Sequence, residues 1–151
     1  MTSDPSAHEE RCVTLTDPDS PITLVILSYN HARFLETALE SVARQQLLPG
    51  HLIVVDDASP DASASILRRY LQDAQGNITT LYHQTNRGLL RTLNETLALV
   101  DSDFVAYMAA DDWMEPARFS RQLAEFEIKG PACALVHSDM FRADEDGNRL
   151  E

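Results

Sequence analysis

From Pro21 to Val136, short and nearly continuous apolar runs alternate with longer segments whose apolar residues recur three and four apart. The short runs are Ile22–Leu27, His51–Val55, Ile78–Tyr82, Phe104–Met108 and Ala132–Val136. They are rich in β-branched residues, as strands buried on both faces of a parallel sheet are. The intervening segments carry one apolar face each: Leu35, Ala38, Leu39 and Val42; Ile66, Leu67, Tyr70 and Leu71; Leu90, Leu93, Leu97 and Val100; and Phe119, Leu123 and Phe126. That spacing predicts four amphipathic helices, the first over about 32–46. Asp61 or Ser63 is placed to cap the second, and Pro116 suits the first turn of the last. Asp144-Glu-Asp-Gly147 reads as a hairpin turn.

Strands alternating with helices predict an α/β fold with a mainly parallel sheet. Ligands of such sheets bind outside the carboxyl ends of the strands. Three polar clusters fall at those ends: Ser28-Tyr29-Asn30, Asp56-Asp57 and Asp111-Asp112. Topology thus gathers on one edge residues that are far apart in sequence. Residues 1–20 hold Asp4-Pro5, Asp17-Pro18 and little that is apolar, which predicts a flexible leader followed by one domain over 21–151.

The formal net charge of -12, with Lys129 as the one lysine, disfavours nucleic acid and anionic membrane surfaces as partners. A small polyphosphate remains compatible if a divalent cation bridges the like charges. Cys12 and Cys133 have no zinc spacing and read as free thiols. The acidic start lacks the apolar stretch of a signal peptide. No apolar run approaches the roughly 18 residues of a membrane span. The expected location is cytoplasmic, at the inner face of a membrane only through segments outside these residues.

The candidate chemistry is that of a nucleoside diphosphate sugar. Tyr29 can stack on or flank a base, and Asp57 can accept a hydrogen bond from a base imide. Asp111 and Asp112 can hold a hard divalent cation through oxygen ligands. Each signal alone also has a plainer reading, as a packing tyrosine, a turn acid, or acids at a helix start favoured by the helix dipole. A lone histidine such as His31 or His137 reads as structural.

Taken together, ITLVILSYNHARFLETALESVARQ, LIVVDDASPDAS and NRGLLRTLNETLALVDSDFVAYMAADDWMEPARFSRQ resemble the family 2 glycosyltransferases. The resemblance implies a GT-A (Rossmann-like) fold and transfer of a sugar, with inversion, from a nucleotide-sugar donor to the hydroxyl of a glycan or other acceptor. UDP is the expected nucleotide and Mg2+ or Mn2+ the expected cofactor. Leu27 and Tyr29 would border the base, and Asp57 would bind its edge. Gly88 would let the backbone pass close to the nucleotide. Asp111 and Asp112 would bind ribose and the metal-diphosphate, while Asn94, Trp113 and Gln122 match positions of the family pattern. The sequence departs from that pattern at Ala109, where many members have Asp, and at Leu93, where many have Arg. The resemblance also implies that the acceptor-binding half and the catalytic base follow Glu151, so no catalytic residue is assigned within these residues. Fragment status predicts nucleotide binding without transfer, and self-association through an apolar edge near Ala132–Phe141. The alternative is a non-catalytic nucleotide-sugar-binding module.

Overall fold

The computed structural model describes residues 12–150. Its main sheet has four parallel strands, β1 (Ile22–Ser28), β2 (His51–Asp56), β3 (Ile78–Tyr82) and β4 (Phe104–Ala109), in the order β3-β2-β1-β4. Four helices separate or follow them: α1 (Leu35–Ala43), α2 (Ser63–Leu71), α3 (Leu89–Leu97) and α4 (Arg118–Lys129). The chain steps outward from β1 to β3, and α3 then returns it to pair β4 on the other side of β1. The crevice between the ends of β1 and β4 is a switch point of the kind where α/β sheets hold ligands.

Period-two alternation within the strands divides the core between two faces. On one face Leu24, Ile26, Leu52 and Val54 pack with Leu35, Ala38, Leu39, Val42, Leu67 and Phe119, all essentially inaccessible to water. On the other, Val25, Ile53 and Val55 are covered by Leu27, Leu81, Val100 and Tyr107. Phe126 of α4 packs its ring on Phe104, with centroids 4.6 Å apart.

Three expectations from sequence change in the structure. Residues 12–20, read as part of a leader, instead pack against the domain; residues 1–11 lie outside the described residues. Leu15 is fully buried in the main core, its N–H donates to the Gln75 carbonyl at 3.1 Å, and Val13 accepts from the Gln75 N–H at 2.9 Å. Asn77 N–H donates to Thr16 Oγ1 at 2.8 Å, and Asp17 N–H to the Pro49 carbonyl at 2.8 Å. The approach is close enough that a Cβ on Gly50 would lie 2.2 Å from the Ser20 carbonyl oxygen.

Second, α3 does not bury its leucine face. Thr92 and Thr96 are inside, whereas Leu90 is 75% and Leu97 47% exposed. Glu95 shares the face of Thr92 and Thr96 by helical spacing, and its carboxylate is bonded to His83 at the end of β3. That polar anchor fixes the rotation of the helix against its own hydrophobic stripe.

Third, Ala132–Val136 forms no strand: nothing among the described residues pairs with it, and Leu135 is 76% exposed. An apolar run makes a strand only where a partner edge takes its backbone groups. The hairpin does form, as β5 (Arg142–Ala143) and β6 (Arg149–Leu150). Asp144 N–H donates to the Asn148 carbonyl at 2.9 Å and Gly147 N–H to the Asp144 carbonyl at 3.0 Å. Among the described residues, no helix is long and apolar enough to cross a membrane.

Candidate functional site

A cavity of about 520 Å³ opens at the carboxyl edge of the sheet. Leu27, Tyr29, Asp57, Gly88 and Asp112, singled out from sequence, all line it, although they come from four separate segments. Leu89 and Leu93 of α3 and Tyr107 of β4 complete an apolar wall. Asp111 is not in the lining; its Oδ2 lies 3.7 Å from His31 Nε2, and His31 does line the cavity. Tyr29 is 46% exposed, so its ring is available to a ligand.

The loop after β1 is held by the loop after β2. Backbone N–H groups of Asn30, His31 and Ala32 donate to Ser59 Oγ (3.0 Å), Ser63 Oγ (3.2 Å) and Asp61 Oδ2 (2.9 Å). Ser63 and Asp61, read as caps of α2, thus also serve the neighbouring loop; Asp61 Oδ1 in addition accepts from the N–H of Ser63, the first residue of that helix, at 2.9 Å. Asn30 and Ala58 hold positive φ values of 63° and 59°, a left-handed backbone uncommon outside glycine and common near functional sites.

Asp57 is almost fully enclosed. Its Oδ1 accepts from His83 Nδ1 at 2.6 Å and from the Arg87 N–H at 2.8 Å, and Oδ2 accepts from the Gly88 N–H at 2.9 Å. A carboxylate has about four acceptor positions, so about one remains, on Oδ2. Gly88, at φ 80°, delivers the chain into α3. Asp57 therefore latches the Asn86-Arg87-Gly88 loop as well as facing the cavity.

Burial pushes the Asp57 and Asp61 carboxyls up, but the N–H and O–H donors around them prevail and hold both below their ordinary value of 3.8. A depressed native value stabilises the fold above the unfolded value, and the gain is lost as pH falls through the native one. The stability advantage of wild type over Asp61→Asn is therefore expected to shrink below about pH 3.8. Melting curves of both proteins from about pH 6 down to about pH 2.5 check this; an advantage constant across that range would refute it.

Asp112 behaves oppositely. Burial and the adjacent Asp111 charge raise its carboxyl, with Arg118 and His31 only partly offsetting them. Such a pair favours a bound cation. Among the described residues no group of three or more His, Cys, Asp or Glu could hold a metal alone. An ion here would need oxygen donors from a ligand, which is how Mg2+ usually meets phosphates.

Sequence reasoning missed two site histidines. His31, read as structural, lines the cavity, and its Nδ1 is buried without a partner. His83 directly follows β3, so the strand-end rule that selected Asp57 also points to it. Asn94 and Trp113 are exposed and outside the lining.

The profile of glycosyl transferase family 2 matches residues 23–151. The chain belongs to that family. It is 29% identical over 127 residues to an uncharacterized glycosyltransferase, alr2836, of Nostoc sp., covering 84% of this chain and 38% of that protein. It is also 29% identical over 107 residues to the uncharacterized glycosyltransferase EpsJ of Bacillus subtilis, covering 70% and 30%. The chain thus spans well under half the length of these relatives. Among solved structures it resembles S. aureus TarS in complex with UDP, with a TM-score of 0.62 at 23% identity, over 71% of this chain and 32% of that one. It also resembles the mannosyltransferase PcManGT of Pyrobaculum calidifontis in complex with GDP-Man and Mn2+, with a TM-score of 0.62 at 27% identity, over 77% and 35%. These likenesses show the GT-A fold, a mainly parallel sheet flanked by helices, of which the chain covers a part.

Proposed function

We propose that this glycosyltransferase chain binds the donor, a UDP-sugar, in the cavity at the ends of β1, β2 and β4, for inverting transfer to an acceptor hydroxyl. The observation that carries the reading is the convergence of Leu27, Tyr29, Asp57, Gly88 and Asp112 on that one cavity. Tyr29 offers a flat surface to the base, the free position of Asp57 Oδ2 accepts from its imide, and Gly88 lets the backbone pass close to the nucleotide. The solved relatives with UDP and with GDP-Man and Mn2+ support a nucleotide sugar as the class of donor.

The donor set of Asp111 and Asp112 fits a divalent cation shared with the diphosphate, since their mutual repulsion is relieved by positive charge. Bound there, Mg2+ or Mn2+ would neutralise charge on the leaving nucleotide. In the reaction an acceptor oxygen bonds to the anomeric carbon, the bond from that carbon to the diphosphate oxygen breaks, and the hydroxyl proton passes to a base. The residues described here bind and orient the donor, and none is assigned as that base.

A thermal-shift panel of UDP, dTDP, GDP and CDP, each with and without Mn2+, tests the reading. Stabilisation grows with the ratio of free ligand to Kd, so UDP with Mn2+ is expected to raise Tm most. No shift with any nucleotide would overturn it.

A further inference from the structure

Asp57 belongs to a closed ring of polar contacts that spans three segments. His83 Nδ1 meets Asp57 Oδ1 at 2.6 Å, and His83 Nε2 meets Glu95 Oε2 of α3 at 3.0 Å. Glu95 Oε2 also accepts from Arg87 Nη1 at 2.8 Å, and the Arg87 backbone N–H returns to Asp57 Oδ1 at 2.8 Å. The His83 side chain is only 5% exposed. Its backbone is fixed as well, since its N–H donates to the Asp56 carbonyl at 2.9 Å. His83 is not part of the cavity lining, so it acts on a ligand only through Asp57 and the loop.

The chemistry of the ring is asymmetric. The two imidazole nitrogens face two different carboxylates, Asp57 through Nδ1 and Glu95 through Nε2, so the two bonds hold different parts of the site. The Nδ1 bond shares Asp57 Oδ1 with the Arg87 N–H, so both acceptor positions of that oxygen are taken. The Nε2 bond holds α3 against the end of β3. The first bond concerns the ligand-facing carboxylate, and the second concerns the helix.

We propose that His83 is a positioning residue for nucleobase recognition: through Nδ1 it fixes the Asp57 carboxylate so that Oδ2, beside Gly88, presents its remaining acceptor position to the base. The proposal rests on the donor-site reading above, and it assigns selectivity for the base to a residue that does not touch it.

Two substitutions separate the bonds. In His83→Asn the amide nitrogen falls near the place of Nδ1 and keeps the bond to Asp57. In His83→Gln it reaches the place of Nε2 and keeps the bond to Glu95. UDP affinity is expected to stay within about 3-fold of wild type in His83→Asn and to fall about 10-fold or more in His83→Gln, since a hydrogen bond to a charged group is lost. Pyrophosphate with Mn2+, which lacks a base, should bind all three proteins alike. On the ligand-free proteins, hydrogen exchange at the Arg87 and Gly88 amides should accelerate in His83→Gln and not in His83→Asn.

If both variants match wild type in UDP affinity and in exchange, or if both lose affinity in step with Tm, the proposal is wrong and His83 is only structural. If wild type binds no nucleotide while the exchange pattern appears, the donor-site reading fails, and the assignment to base recognition falls with it.

Discussion

Replacing Asp57 with alanine is expected to weaken UDP binding by roughly 10- to 150-fold, equivalent to about 1.5–3 kcal/mol for a hydrogen bond to a charged group. The loss should be larger than for removing a residue that only touches the base. Asp57 also accepts from His83 and from the Arg87 and Gly88 amides, so Asp57→Ala frees the loop that forms one wall of the cavity. Tm should fall too, by the equivalent of about 1–3 kcal/mol, because a nearly buried imidazole loses its acceptor. Calorimetric titration with UDP and with pyrophosphate, beside a melting curve, separates the two effects. Affinity for UDP unchanged by Asp57→Ala would remove the base-binding role.

The second large effect concerns the metal. Asp112→Asn should abolish most of the gain in UDP affinity that Mn2+ confers, about 10-fold or more if one charged ligand to the ion is lost. The fold should not suffer. Asp112 is held above its ordinary range by burial and by Asp111, so the neutral side chain relieves a repulsion, and Tm of the apo protein should stay level or rise slightly. Asp111→Asn, outside the cavity lining, should have a smaller effect on the Mn2+ increment. Titrations with UDP in Mn2+ and in EDTA measure it. If both variants keep the full increment, the ion is held elsewhere.

What the sequence shows is set by which interactions leave a periodic trace. Strands β1 and β2 were legible because burial on both faces makes them continuous apolar runs. Once those runs were placed, the strand-end rule delivered Tyr29, Asp57 and Asp112 to one cavity. The orientation of α3 was not legible: its leucines recur at helical spacing, yet single polar bonds, from Glu95 to His83 and from Gly88 to Asp57, decide which side turns inward. Residues 12–20 were missed because only Val13 and Leu15 mark them as apolar. Ala132–Val136 has the composition of a strand but pairs with nothing among the described residues, a fact that belongs to the tertiary structure alone. His83 carried no motif; only its place after β3 marked it.

The bonds from Ser59, Asp61 and Ser63 to the three consecutive amides at Asn30–Ala32 have a consequence for how such sequences vary. The two loops are stitched crosswise: the successive donors at Asn30, His31 and Ala32 meet acceptors at Ser59, Ser63 and Asp61 in turn. A residue gained or lost in either loop throws the stitches out of step and moves Tyr29 with them. A change of length in one loop is therefore expected to be tolerated only with a compensating change in the other, although the 9 residues of α1 and the 6 of β2 lie between them.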